Sequence, residues 1–400
     1  MSTTPPPSTA TERRATVMRT TDRVTPLELF FDLVFVLALT QCTALMAETP
    51  TWAGLARGLL VLGVLWWSWV GYAWLTSVVD PEEGVVRLTI FAAMAALLVA
   101  ALCVPQAFGD EGLLFACVYA VVRTAHIVLF VLASRDDAQL RSSVLGLAVS
   151  TAVAVALLIG AAFTDGLLQG GLWGLALLLD MGGPYLFGAE GWKLSPSHFA
   201  ERHGLIIIIA LGESIVAIGV GAEIGVDAGI VAAAVVGMVV AAALWWLYFD
   251  FVALVAERRL VHASPGRERN EIARDSFSFL HFPMVAGIVL LALGLKKTLA
   301  HVDDPLKLVP AAALLGGTAM YLLAHVAFRW RNVHSFSTQR MLCAGLLIAM
   351  VPLAVEIPAL ASLGLLAAVL AGLIVYETVR FADLRDRLRH EYAEPLSKPG

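Results

Sequence analysis

The chain has 400 residues, 59% of them hydrophobic and only 15% charged, with a formal net charge of -5. A soluble domain carries nearer a quarter charged residues, so this composition belongs to an integral membrane protein. The acidic balance, with no basic stripe, excludes nucleic acid as a partner.

Residues Met1 to Val24 are rich in Pro, Thr, Ser and Arg and hold no apolar run, so 1–24 reads as a disordered tail rather than a cleavable signal. From Pro26 onward apolar segments follow one another with short polar breaks. The pattern predicts an all-α polytopic membrane protein of about twelve transmembrane helices. They fall at about 27–46, 54–78, 85–108, 112–134, 142–163, 167–187, 198–222, 227–256, 276–299, 307–330, 340–357 and 360–380. A charged tail follows over 381–400. Four cysteines (Cys42, Cys103, Cys117, Cys343) lie inside apolar runs without CxxC spacing, which makes them buried small hydrophobes.

The first predicted helix carries Glu28 and Asp32, spaced i, i+4 and so on one face. Glu28 suits the first helical turn, where a carboxylate complements the helix dipole. Asp32 lies a turn deeper and calls for a cationic His or Arg from a neighbouring helix. In the sixth helix Asp180 precedes Gly182-Gly183-Pro184, a sequence expected to break or kink the helix or to end it. The seventh begins at Ser195-Pro196 and packs His198, Glu201, Arg202 and His203 into two turns. Glu213 follows, about ten residues into an apolar span and so near mid-membrane at ~1.5 Å of rise per residue. His198, Arg202 and Glu213 fall within a wedge of about 60°. Such groups cost several kcal/mol unless paired, protonated or hydrated, and they mark ion or proton paths. His126, Asp250, His281 and His325 are further intramembrane polar residues. The cluster of six tryptophans (Trp66, Trp67, Trp69, Trp74, Trp245, Trp246) reads as interfacial belt or core packing.

The chain also repeats. Leu33 to Gln41 (LVFVLALTQ) aligns with Leu205 to Glu213 (LIIIIALGE), which sets Gln41 opposite Glu213. Trp66-Trp67 align with Trp245-Trp246, Ala120 to His126 with Ala319 to His325, and Arg141 with Arg340. These matches predict two parallel six-helix halves, 25–188 and 195–380, with a site at their interface. Lys and Arg concentrate in the loops on the side of the N-terminus, so both termini are expected in the cytoplasm.

Two stretches carry a resemblance. Pro26 to Val36 (PLELFFDLVFV) and His198 to Ile215 (HFAERHGLIIIIALGESI) resemble the bacterial low temperature requirement protein A (LtrA) family, over roughly residues 20–380. That implies a polytopic membrane protein, without implying a reaction. Phe31-Asp32 with Val34, Ala38 and Thr40 is also similar to the first helix of the six-helix potassium channels that carry a Phe-Ser-Asp motif. Here Phe stands for the Ser, and His203-Gly204 stands where the second half would have Phe-Asp.

The expected function is a transporter or an ion or proton permeation protein of the cell membrane, with a polar vestibule opening to the cytoplasm. It is not expected to be an enzyme, and no metal or cofactor is expected. Gly212-Glu213-Ser214 lacks the flanking glycines of a nucleophile elbow. Glu201 and His203 diverge on a helix, unlike an HExxH pair. The alternatives are a membrane-embedded enzyme acting on a lipid or isoprenoid and a structural or regulatory membrane protein. Expected partners are the lipid bilayer and an unidentified ion or small molecule, with a homo-oligomer left open.

Overall fold

The computed structural model describes residues 22–186, 191–222 and 227–382. The first 21 residues of the expected N-terminal tail, and all but the first two of the C-terminal one, lie outside them. The chain is all-helical, with no strand among the described residues. Among the described residues, ten helices are long and apolar enough to cross a membrane.

The first six helices are α1 (Pro26–Glu48), α2 (Trp52–Thr76), α3 (Gly84–Cys103), α4 (Gly112–Ala133), α5 (Ala138–Ala161) and α6 (Gly166–Leu186). Caps fix several starts. Thr25 and Glu28 form a reciprocal capping box on α1, Thr51 caps α2, and Asp137 caps α5 through the Leu140 N–H at 3.1 Å. Asp137 also pairs with Lys193 at 2.8 Å, and that hydrogen bond holds its carboxyl below the usual carboxylate range. The expected break in α6 does not occur. The helix runs through Gly182-Gly183-Pro184 to Leu186, because Pro184 falls in the last turn and forfeits only one hydrogen bond. Gly183 lets α6 close on α5, since a Cβ there would lie 2.5 Å from Ser150 Oγ.

The later helices are α7 (Pro196–Gly221), α8 (Ala228–Phe249), α9 (Val252–His262), α10 (Arg267–Ile272), α11 (His281–Ala300), α12 (Leu308–Val333), α13 (Thr338–Ala349), α14 (Val351–Ala354) and α15 (Ala359–Arg380). Three expected helices are redrawn. The eighth stops at Phe249, and the chain restarts at Val252 as a short amphipathic helix with Arg258 and Arg259 on one side. The ninth begins earlier, through α10 and a π-helical stretch at Ala273–Phe279. The eleventh is interrupted at Met350, where Pro352 cannot donate to the Ile348 carbonyl.

Helix α1 packs on α2 and α3 and reaches across to α7 and α11. In the first half α3 packs on α4, α4 on α5, α5 on α6, and α6 on α2. In the second half α7 packs on α8 and α11, α11 on α12, α12 on α13, and α15 on α8. The α11–α12 contact is backbone against backbone: a Cβ on Gly287 would sit 2.5 Å from the Gly317 carbonyl oxygen. Many large apolar side chains face outward, among them Leu88, Leu168, Leu178, Leu342 and Val379, as a lipid-facing shell requires.

Candidate functional site

The densest polar cluster lies where α1 meets α7. Glu28, Asp32, His198, Arg202 and His203 are each no more than 1% exposed. His198 Nε2 donates to Glu28 Oε1 at 2.8 Å, and Arg202 reaches the same oxygen at 3.2 Å. Arg202 also donates to Asp32 Oδ1 at 2.6 Å and to Thr76 Oγ1 at 3.3 Å. Trp69 of α2 donates its indole N–H to Asp32 Oδ1 at 2.8 Å, and its ring lies under the guanidinium, 5.5 Å from Cζ. Glu28 therefore serves both as the N-terminal cap of α1 and as an acceptor for α7.

Two acids share one guanidinium and one imidazole, so the cluster's charge changes by one with the His198 proton. Most of its hydrogen-bonding capacity is used within the protein, as buried charge requires. Asp32 Oδ2, Arg202 Nε and His203 Nε2 are buried without a partner. His203 donates from Nδ1 to the Phe199 carbonyl at 2.8 Å, and its ring stands 5.1 Å from that of His281. His281 donates from Nδ1 to Ser276 O at 3.0 Å and accepts from the Tyr248 hydroxyl at 2.8 Å. A row of polar side chains thus runs from Glu28 through Arg202 and Asp32, past His203, to His281 and Tyr248.

Further along the same two helices, buried Glu213 accepts from the Thr40 hydroxyl. Gln41, which the sequence alignment set opposite Glu213, is half-buried beside Thr40. Glu201 is exposed and accepts the Val24 backbone N–H at 3.0 Å, tying down the start of α1. The interface residues are enclosed in this structure, in place of the expected open vestibule.

Two further ionic clusters occupy the halves themselves. In the first, Arg123 of α4 pairs with Asp180 of α6 at 2.9 Å. Thr151 and Tyr119 also donate to Asp180, at 2.8 and 3.1 Å, and His126 packs between Tyr72 and Phe130. In the second, Arg340 grips Glu377 of α15 through two bonds of 2.9 and 2.8 Å and donates to His325 Nδ1 at 2.7 Å. Asp250 lines a cavity beside that cluster. The candidate residues therefore divide among three places.

Arg123, Tyr248 and Glu377 were not singled out from the sequence, and Trp69 and Thr40 were named there without a part in the site. An intramembrane Arg three residues before His126 was one available signal. Another was the repeat offset near 199, which carries Asp180 to within two residues of Glu377.

A bundle of apolar helices with paired charges buried between them defines a multi-pass membrane protein with an internal ionisable site. Residues 23–375 match the family model described as bacterial low temperature requirement A protein (LtrA). The chain belongs to that family. It is also 30% identical over 306 residues to an uncharacterized protein of Rhizobium meliloti (strain 1021), covering 74% of each chain. No solved structure matches it.

Proposed function

We propose that this LtrA-family protein is a non-enzymatic transporter or permeation protein for protons or small cations in the cell membrane. It is built as twelve crossings in two parallel six-helix halves with both termini cytoplasmic. The carrying observation is the α1–α7 cluster. Within a network that otherwise pairs its charges, Asp32 Oδ2 and His203 Nε2 are buried and unpartnered, an acceptor and a ring nitrogen available to a passing proton or ion. Two carboxylates against one guanidinium favour a cation over an anion. Glu213 would be the next station outward.

The topology has independent support. Contacts between α1 and α7 join Glu28 to His198 and Arg202, Asp32 to Arg202, and Thr40 to Glu213. The separations stay between 170 and 174 residues, so the two helices run parallel and in register. Parallel α1 and α7 need an even number of crossings before α7, which supports counting α6 as a crossing. At the far end, the Ala359 and Leu360 N–H groups bond to the 302–304 loop, whereas Glu377 meets Arg340 at the start of α13. The segment from Thr338 to Pro358 therefore traverses the bundle despite its interruption.

Reconstitution in liposomes tests the reading. Flux of H⁺, K⁺ or Na⁺ above that of protein-free vesicles is expected for at least one ion. Protein-free rates for all three would refute it.

A further inference from the structure

One cavity lies outside the α1–α7 cluster and is not needed for the permeation reading. It encloses about 530 Å³ between α8, α9, α12, α13 and α15, at the end of the bundle where α13 begins. Its counterpart in the first half encloses about 50 Å³. The two are lined at matched positions: Trp67 and Trp246, Gly71 and Asp250, His126 and His325, Phe130 and Arg329. The offsets are 179 for the first two pairs and 199 for the last two, the same as in the sequence repeat. Both are lined by charged as well as apolar groups, Arg123 and Arg274 in the smaller and Arg329 and Arg340 in the larger, but the second-half cavity has about ten times the volume.

We propose that this second-half cavity binds an anionic phospholipid of the inner leaflet, its phosphate at His325 and Arg329 and the upper part of its acyl chains against α9 and α15. Arg340 can only donate, so His325 Nδ1 accepts from it and the ring proton lies on Nε2. That Nε2 is buried with no acceptor in the protein. Arg329 donates from Nε to Ser335 Oγ at 2.9 Å, and among the described residues its terminal amino groups meet no acceptor. Of the arginines that line the cavity, Arg340 is held by Glu377 and Arg259 by Glu268, so the charge offered to a ligand rests on Arg329 beside the His325 N–H. An acceptor-rich phosphodiester supplies what these donors lack.

The walls decide between a lipid and a soluble anion. Val252, Val255, Phe328 and Ile374 present apolar surface that a free phosphate would leave uncovered. Trp245, Trp246, Trp330 and Phe336 are 41–60% exposed around the same end, as an aromatic belt at the headgroup level would be. Helix α9, apolar on one side and bearing Arg258 and Arg259 on the other, has the form of an interfacial helix on an anionic leaflet.

Native mass spectrometry of the full chain released from nanodiscs of mixed phosphatidylglycerol and phosphatidylcholine tests the assignment. Wild type should retain one phosphatidylglycerol with a preference of about tenfold over phosphatidylcholine. Arg329→Gln combined with His325→Gln should abolish that preference. Val255→Phe, which fills the tail region and removes no charge, should lower occupancy on its own, and Arg57→Gln at the opposite end should change nothing. Equal retention of the two lipids by wild type would overturn the proposal, as would an undiminished preference in the double variant or an undiminished occupancy in Val255→Phe. Displacement of the lipid by an equimolar soluble glycerol phosphate would overturn it in favour of a free-anion site.

Discussion

Arg202 donates to Asp32 across the contact between α7 and α1 at 2.6 Å, with neither side chain more than 1% exposed. This bond lies between residues 170 positions apart and joins the two halves of the chain. Its energetic value lies mainly in preventing an unpaired charge. Breaking a buried pair from one side costs much more than the pair contributes over a neutral isostere.

Arg202→Gln should therefore destabilise the protein by about 3–5 kcal/mol, because it takes from buried Asp32 its cation and from Glu28 one of its two. Adding Asp32→Asn should recover part of that loss. Thermal unfolding of detergent-purified variants checks both statements, and additive effects of the two substitutions would rule out the coupling.

Asp180 and Glu377 are the acids of the two flanking clusters, but they differ in exposure. The Asp180 side chain is 4% exposed and accepts from three donors, whereas that of Glu377 is 17% exposed. Asp180→Ala should cost more than Glu377→Ala, about 3–5 kcal/mol against 1–2 kcal/mol, because water can reach the second site. Denaturation midpoints measured side by side decide the order.

Gly287 faces the Gly317 carbonyl where α11 and α12 touch, while a methyl group on Gly345 of α13 would have nothing within 4 Å. Gly287→Ala is expected to lower stability by about 1–3 kcal/mol through overpacking. Gly345→Ala should be neutral or slightly stabilising. Melting temperatures of the two variants should separate cleanly.

Orientation is open to direct labelling. In a background without the four natural cysteines, a cysteine at Glu356 should react with an impermeant maleimide on intact cells. One at Ser335 should react only after permeabilisation. Labelling of Ser335→Cys from outside would invert the assignment of the termini.

Much of the fold was legible because a span needs about twenty apolar residues and leaves polar punctuation on either side. The i, i+4 spacing of Glu28 and Asp32 set them on one face, and the demand for a cationic partner was met by Arg202. Helix interruptions were harder. Pro352 marks one in an apolar run that otherwise reads as continuous, but the polar residues after Phe249 and across Ala273–Phe279 do not say whether the chain ends a helix, restarts one or winds as a π-helix. Partners such as Trp69, Thr40 and Tyr248 were hidden for another reason. Each is an ordinary helix residue until a distant segment packs against it, and periodicity carries no information about which helices become neighbours. The proposed repeat would carry such information, since its offset of about 199 sets Asp180 near Glu377 and His126 opposite His325, residues that lie in two buried clusters.

The central claim is that ions or protons pass along the contact between the halves by way of Glu213. Glu213→Gln keeps the side-chain size and an acceptor for Thr40 but cannot carry a charge or exchange a proton. Flux through liposomes holding equal amounts of wild type and Glu213→Gln, with matched melting temperatures, is the direct measurement. The account predicts a loss of at least about tenfold in the variant, as expected for an essential intramembrane carboxylate. Equal flux through the two proteins would contradict it.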